Sequence, residues 1–523
     1  MVDDMPFAGW GDPSRRHGLP PHAAAWLSKT LGVTPADAVA PAPPEPPPAS
    51  RLSADALVSL RAVAEVRTDD EARILRAGGK SYLDLLRARA GDTSHAPDAV
   101  VLPADEAAVA AVLAACAEHR VAVVPFGGGT SVVGGVDPVA LDAVVSLDLR
   151  RMDALLHVDE TSLTATFQPG VRGPDAETLL RPYGLHLGHL PQSFEQATIG
   201  GFVATRSAGQ ASTGHGRIDD MVVALTLVTP AGTLRLGRGA KSAAGPDLRA
   251  LAVGSEGAFG VVTEVTLRVR RLPSESRYEG FLVRGFDAGQ AVLRDLEQGG
   301  VAPDVARLSD PDETAVQLTL SGGGAKGALT KAYVRARAGR EACLLILGWE
   351  DRVAARRALA KPALKGAVSL GQGAGRTWLH GRYDGPYLRD DLMDAGVLVE
   401  TLETSASWSD LDRVHTDVRA ALTRSLGRCV VMCHVSHLYP QGASLYFTVL
   451  AKAVDARQWE RAKVAASDAI VAAGATITHH HAVGADHRPW MQAEVGDLGL
   501  AVLRAIKETL DPDGICNPGT LLP

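Results

Sequence analysis

The stretch Val121–Gly135, VAVVPFGGGTSVVGG, constrains this chain more than any other. Val121, Val123 and Val124 read as a buried strand that stops at Pro125. Gly127, Gly128 and Gly129 follow in succession. Three adjacent glycines are costly in chain entropy, so the backbone there must adopt positive φ or lie against something large. Thr130 and Ser131 add hydroxyls, and Gly134-Gly135 allows a second close approach. A row of unencumbered N–H groups of this kind is an anion cradle suited to a pyrophosphate. A Cβ at Gly128 is expected to intrude on that anion. No Lys follows the glycines, as a P-loop requires, and no G-x-G-x-x-G opens a helix. A plain Gly-rich turn between strands is the competing reading, and the rest of the chain must separate the two.

Length and charge narrow the classes. The 523 residues are enough for two or three domains with substantial cores. With 46% apolar residues, 22% charged residues and a net charge of −7, the chain is globular and carries no basic footprint for nucleic acid. Five scattered cysteines (Cys116, Cys343, Cys429, Cys433, Cys516) make no disulfide framework and suit a reducing compartment. No apolar run reaches the roughly 18 residues of a membrane span. The N-terminus carries acids early and lacks an apolar stretch, so no secretory signal is visible and a cytoplasmic protein is expected.

Residues 1–35 hold Trp10, Trp26 and Leu27 and are expected to pack onto the body, while Pro41–Pro48 reads as a stiff surface connector. Helical spacing from Ser53 to Leu86 predicts a helical entry region. DAVVLP (98–103) predicts a strand, and Asp105 caps a helix with Val109, Val112 and Leu113 inside. With the strand at Val121 this makes a strand–helix–strand unit. Ala143–Leu149 and Ser162–Phe167 read as strands, Asp175–Leu180 as a helix, and Val222–Thr229 with Thr233–Leu236 as a hairpin.

Two further blocks share the Gly and hydroxyl character of the first. HLPQSFEQATIGGFVATRSAG (189–209) sets Ser193, Thr198, Thr205 and Ser207 among glycines, able to bond phosphate and ribose and leave room for a flat ring. Leu251–Val269 adds Gly254, Gly257 and Gly260 before a strand.

These three blocks resemble the FAD domain of the vanillyl-alcohol-oxidase-type (PCMH-type) flavoproteins, and within them the alkyldihydroxyacetonephosphate (alkylglycerone-phosphate) synthases. The likeness runs from Gly9-Trp10-Gly11 to the C-terminus. It implies an α+β, two-domain FAD-binding fold with a substrate-covering cap. The divisions expected are a helical entry region (1–94), the FAD domain (95–272), the cap (273–470) and a C-terminal segment carrying a histidine loop (471–523). By resemblance the pyrophosphate loop is Pro125, Phe126, Gly127, Gly128, Gly129, Thr130 and Ser131. The second FAD segment is Gln192, Ser193, Phe194, Glu195, Gln196, Ala197 and Thr198. A third comprises Thr205, Arg206, Ser207 and Ala208, and a fourth Glu256, Gly257, Ala258, Phe259, Gly260, Val261 and Val262.

The more specific signals lie beyond residue 270. Val305–Pro311 matches the family's arginine segment and puts Arg307 at the active site. Tyr387-Leu388-Arg389-Asp390 keeps the family's spacing to Glu403-Thr404-Ser405-Ala406-Ser407-Trp408, which makes Arg389 the ligand of the substrate's phosphate. A guanidinium fork matches phosphate oxygens bidentately, so the chemistry agrees. Tyr446, in the strand-like ASLYFTVL (443–450), falls on the catalytic tyrosine. A phenol with a reference pKa near 10 needs a cationic neighbour or a flavin to act as a base. The run His479, His480, His481 matches the family's active-site histidines, and His189 matches a substrate-site position. Three adjacent residues on a strand cannot all point one way, so no single-face metal triad is expected. Cys429-x-x-x-Cys433-His434 has the outline of a metal fragment, but its spacing in a strand-like run points to core packing. His434 departs from the family, which commonly has Arg there.

The resemblance implies exchange of the acyl group of acyl-dihydroxyacetone phosphate for a long-chain alcohol, with a fatty acid released. Tyr446 takes a proton from the carbon bearing the acyloxy group, and the flavin N5 serves as a covalent rather than a redox partner. With no His in the Gly-rich loop, FAD is expected to be held noncovalently. Expected partners are these small lipid molecules, a membrane surface touched peripherally, and a second copy in a homodimer. Two rivals stay open: an FAD-dependent oxidase or dehydrogenase of a 2-hydroxy acid, which shares the FAD blocks, and a noncatalytic FAD-binding protein.

Overall fold

A computed structural model describes residues 4–137, 142–320, 322 and 324–523. Residues 1–3 of the N-terminal segment lie outside the described residues. The chain forms α+β layers around three main cores.

The opening Gly-rich loop hangs from a four-stranded sheet ordered Glu65–Arg67, Ala99–Leu102, Val144–Asp148, Ala122–Phe126, parallel except for its first strand. The expected strand–helix–strand unit is present, with Val144–Asp148 inserted between its two strands. Asp105 caps the helix Glu106–His119 by accepting from the Ala108 N–H at 2.8 Å. Val109, Val112, Leu113 and Cys116 are its buried face. The chain's end extends this sheet: Val123 N–H donates to Ile515 O, and Asn517 N–H to Val123 O, each at 2.8 Å.

A five-stranded antiparallel sheet follows, ordered Leu155–Asp159, Thr164–Phe167, Val261–Arg268, Val222–Thr229, Gly232–Leu236. The expected hairpin is its edge. The helix Met491–Leu510 contributes Leu503, Ile506 and Leu510 to the core beneath it, so the C-terminal segment packs on the FAD domain.

The cap is a seven-stranded antiparallel sheet, ordered Val368–Gly371, Ser276–Arg284, Ala342–Glu350, Val305–Ser309, Cys429–Tyr439, Gly442–Lys452, Val397–Ser407. Alternation across its strands decides what reaches the cofactor side. Leu445, Phe447 and Val449 are buried in the core with the helices Leu411–Leu426 and Ala456–Ala472, whereas Tyr446, Thr448 and Leu450 line the large cavity. On the neighbouring strand Cys433 belongs to the core, and Met432 and His434 line the cavity. Core packing thus accounts for Cys433. The N-terminal segment packs as expected, though on the cap: Leu27 and Leu31 of the helix Pro21–Leu31 enter the cap core. Trp10 N–H donates to the Asp390 carboxylate at 2.7 Å. Pro41–Pro48 is a surface segment pinned through Ala42 N–H to Arg89 O and Glu45 N–H to Gly91 O, each 2.8 Å.

Candidate active site and cofactor cradle

A cavity of about 620 Å³ is lined both by the Gly-rich segments of the first domain and by the seven-stranded sheet. Pro125 through Ser131 line it without a break. Among the described residues, no acceptor receives the N–H groups of Gly127, Gly128, Gly129, Thr130 or Ser131. A row of free donors on a cavity wall is what a pyrophosphate requires, so the loop fits the nucleotide that the sequence leads one to expect. Asn517 holds the loop in place, its amide donating to Gly135 O at 2.9 Å and to Glu256 O at 2.6 Å.

The reason for Gly128 differs from the expected one. A Cβ there would run into the backbone of Gln196 and Ala197, and one at Gly127 would meet the Thr198 hydroxyl. These two glycines let the first and second FAD segments touch, a constraint that the protein alone imposes. Gly128→Val is accordingly expected to lower thermal stability and flavin content together, overpacking a backbone contact at about 1–3 kcal/mol or more. The ratio of flavin to protein absorbance and the melting temperature check this, and a stable, fully yellow variant would dissociate the loop from cofactor binding.

The other segments reach the cavity only in part. Gln192, Ser193, Ala197 and Thr198 line it, but Phe194 stacks on Tyr383 at 5.5 Å and Glu195 pairs with Arg15 at 2.6 Å. Gln196 is spent on the contact with Gly128. Thr205, Ser207 and Ala208 are on the wall, whereas the Arg206 guanidinium turns away to the carbonyls of Val253 and Ala250, each 2.9 Å. Glu256, Gly257, Gly260, Val261 and Val262 line the cavity, and Ala258 and Phe259 belong to the hydrophobic core. His189 is also corrected: it is absent from the wall and buried behind Ser207, whose hydroxyl lies 2.7 Å from its Nε2. Burial pushes its imidazole down to about 3, which makes it a neutral support for Ser207.

At the other end stand the cap residues. Arg389 lines the cavity, and its Nη1 donates to Lys80 O at 2.7 Å. Its Nε and Nη2 are buried without a hydrogen-bond partner, with the Asp390 carboxylate 3.8 Å from Nε. A buried guanidinium with two open donors is an anion site in waiting. Tyr446 sits between His434 and Glu403 in the strand register. Its ring stacks on His434 (centroids 4.9 Å, 24° between planes) and meets the edge of His481 at 5.5 Å. Burial pushes its phenol up to about 12, despite a hydrogen bond with Thr401. It therefore rests protonated at neutral pH.

Arg307 lines the cavity, but its guanidinium is largely committed. It donates to Glu313 at 2.6 Å and to His434 Nε2 at 3.1 Å, and His434 Nδ1 lies 3.2 Å from the same carboxylate. Burial would raise the Glu313 carboxyl, yet Arg307 and His434 more than offset it, to about 2. Since guanidinium only donates, His434 Nε2 accepts and its Nδ1–H faces Glu313. The family departure at position 434 is thus absorbed into a buried triad beneath Tyr446.

The histidine run is not a strand. Residues 479–481 form a bend wrapped around one buried carboxylate, Glu403, which accepts the N–H groups of His479, His480 and His481 at 2.8, 3.1 and 2.9 Å. It also accepts the Thr478 hydroxyl at 2.6 Å. The bend overturns the alternation argument: His480 and His481 both line the cavity, while His479 stands directly behind. Ring nitrogens of His437, His479 and His480 come within 4.8 Å of one another, each ring already hydrogen-bonded within the protein. Glu256 holds the next turn of the loop, accepting from Val483 N–H at 2.8 Å and Gly484 N–H at 2.7 Å. Burial pushes its carboxyl up to about 7 against those two donors.

Sequence reasoning used Glu403 only as a spacing marker and passed over Glu313, His437 and Tyr439. The E-T-S-A-x-W block held the first of them in plain view. The others gain meaning only from neighbours distant in sequence.

Residues 97–237 match the family described as FAD binding domain, and residues 272–521 match FAD linked oxidases, C-terminal domain. The alkyldihydroxyacetonephosphate synthase of Dictyostelium discoideum is 36% identical over 88% of this chain and 79% of its own length. That of Trypanosoma brucei brucei is 34% identical over 95% of this chain and 84% of its own. A solved alkyldihydroxyacetonephosphate synthase superposes with a TM-score of 0.82 at 31% identity, covering 99% of both chains.

Proposed function

The chain belongs to the alkyldihydroxyacetonephosphate synthase family, and we propose that it makes the ether bond of a lipid precursor. Acyl-dihydroxyacetone phosphate and a long-chain alcohol enter, and alkyl-dihydroxyacetone phosphate and a fatty acid leave. FAD is the cofactor. We take it to be held noncovalently, since no His lies in the loop Pro125–Ser131. The observation that carries the reading is one cavity lined by free N–H donors at one end and by Arg389, Tyr446, His480 and His481 at the other. The lipid substrates favour peripheral contact with a membrane from the cytoplasm, and no helix among the described residues is long and apolar enough to cross one. Assembly as a homodimer completes the reading and is checked by sedimentation.

FAD, when bound, supplies a flavin ring nitrogen as covalent partner without net redox change. The protein's own groups do the rest. Arg389 takes the phosphate on Nε and Nη2, fixing the distance from that end of the substrate to Tyr446. Tyr446 accepts the proton from the carbon bearing the acyloxy group. Because its phenol rests protonated, its own proton must first leave. His480 lines the same cavity, its ring stacked beside that of Tyr446 at 6.0 Å between centroids, and we assign that proton to it. Arg307, Glu313 and His434 hold the tyrosine ring from behind.

The test is an incubation of the holoenzyme with labelled hexadecanol and acyl-dihydroxyacetone phosphate. Labelled ether phosphate, with the flavin back in its oxidised form once substrate is consumed, is the expected result. Bleaching by a 2-hydroxy acid without ether product would give the protein to the oxidase reading. Arg389→Lys keeps the charge but loses the fork, so KM for the phosphate substrate should rise about ten- to a hundredfold, the worth of one charge-assisted bond of roughly 1.5–3 kcal/mol. Flavin content should not change. An unaltered KM would remove Arg389 from the phosphate site.

A further inference from the structure

Hydrogen bonds behind the cavity wall run in one unbroken line outward from His480. Its Nδ1 lies 2.9 Å from His479 Nδ1. The His479 Nε2 in turn lies 2.6 Å from the Tyr439 hydroxyl. Tyr439 is half-buried at the end of the strand Cys429–Tyr439, with the charges of Arg217, Asp219 and Asp220 near its hydroxyl. Arg217 pairs with Asp219 at 3.1 Å, and Asp219 and Asp220 are exposed to water. The line therefore starts at the reacting cavity and ends at solvent.

Two ring nitrogens at 2.9 Å cannot both donate or both accept, so a single proton lies between His479 and His480. Only two arrangements satisfy the whole line. In one, the Tyr439 hydroxyl donates to His479 Nε2 and His479 Nδ1–H donates to His480. In the other, His480 Nδ1–H donates to His479 and His479 Nε2–H donates to the Tyr439 oxygen. They interconvert by one proton hop along each bond.

The surroundings favour passage over storage. The Glu403 carboxylate, 3.4 Å from His480 Nδ1, tolerates positive charge at the cavity end. Burial holds His479 well below the ordinary imidazole range, so a proton does not rest there. His437 covers the face of His479 (centroids 5.1 Å, 24° between planes) and is itself fixed by Ser212, whose hydroxyl lies 2.6 Å from its Nδ1. The middle ring of the line is thus held in register.

We propose that His480, His479 and Tyr439 form a proton path between the reaction cavity and the solvent that reaches the half-buried Tyr439. It carries off the phenol proton of Tyr446 and lets hydrogen taken from the substrate carbon exchange with water. Each passage takes one proton in at one end and delivers one at the other, and no electrons move. The inference rests on the exchange reaction assigned above. Tyr439 and His479 touch no reacting atom in this scheme and act through His480.

The test is hydrogen exchange at the substrate carbon in D2O, with wild-type and Tyr439→Phe holoenzymes. Exchange should fall about tenfold or more in the variant, with flavin content and substrate KM unchanged. Added imidazole buffer should restore it in proportion to concentration, because a small proton carrier can stand in for a lost relay but not for lost packing. His479→Gln, bearing the same buffer dependence, guards against a Tyr439 variant that fails to fold. Wild-type exchange in both variants, or a loss that imidazole does not repair, would overturn the path and leave the exchange reaction standing. A wild-type enzyme that makes no ether product and exchanges no hydrogen would overturn the reaction, and the path with it.

Discussion

Tyr446→Phe is expected to lower acyl-for-alkyl exchange by about 10²–10⁴-fold, the usual worth of a lost general base. The substitution removes one hydroxyl and almost no volume. The ring keeps its stack on His434, so folding and flavin content should survive. Hydrogen exchange at the substrate carbon should disappear together with ether synthesis, since both begin with the same proton. The companion variant is His480→Ala. In a 2-hydroxy-acid oxidase with a histidine base it would abolish flavin reduction, and Tyr446→Phe would only slow it. In the synthase, the tyrosine variant should be the more damaged of the two, since it has lost the atom that takes the substrate proton, whereas the histidine variant keeps that atom and loses only the group that clears it. Ether product at near wild-type rate from Tyr446→Phe would end the assignment of the base.

Glu403→Gln is expected to cost at least about 3 kcal/mol of stability and to remove most activity. The carboxylate accepts three consecutive N–H groups and a hydroxyl while fully buried. A Gln amide turns its NH2 toward donors and leaves part of that row unsatisfied. The histidine bend should loosen, and a shift of about 1 Å at the chemistry can cost about 10²-fold in rate. The pH dependence carries a sign. Burial would raise this carboxyl, but His480, close to it and hydrogen-bonding, is the main group that holds it well below the ordinary value. A depressed folded-state pKa contributes stability that is present above the unfolded value of about 4.3 and lost as pH falls through the folded one. The stability gap between wild type and Glu403→Gln should accordingly be widest above about pH 4.3 and close at lower pH. Denaturant titrations at several pH values would show it, and a gap constant down to acid pH would mean that Glu403 is not the charged anchor of the bend.

Local chemistry was legible where one short segment does one job. The β-branched run before the triple glycine, the Asp105 cap and the alternation around Tyr446 each follow from neighbours in the chain, and they gave two strands and a helix. Motif spacing, through family resemblance, put FAD on the Gly-rich loop and assigned Arg389, Tyr446 and the histidines to the active site. What the sequence could not decide was which side of each segment meets the cavity and which meets protein. Gly128 serves Gln196, Arg206 serves two carbonyls, and His189 stands behind Ser207, because a residue's facing depends on segments far away in the chain. The histidine run is the clearest instance. Its bend exists because Glu403, seventy-six residues from His479, gathers three N–H groups around one buried charge. Charge buried in a low-dielectric interior must be satisfied by whatever the fold brings near it, and only the tertiary structure names those neighbours.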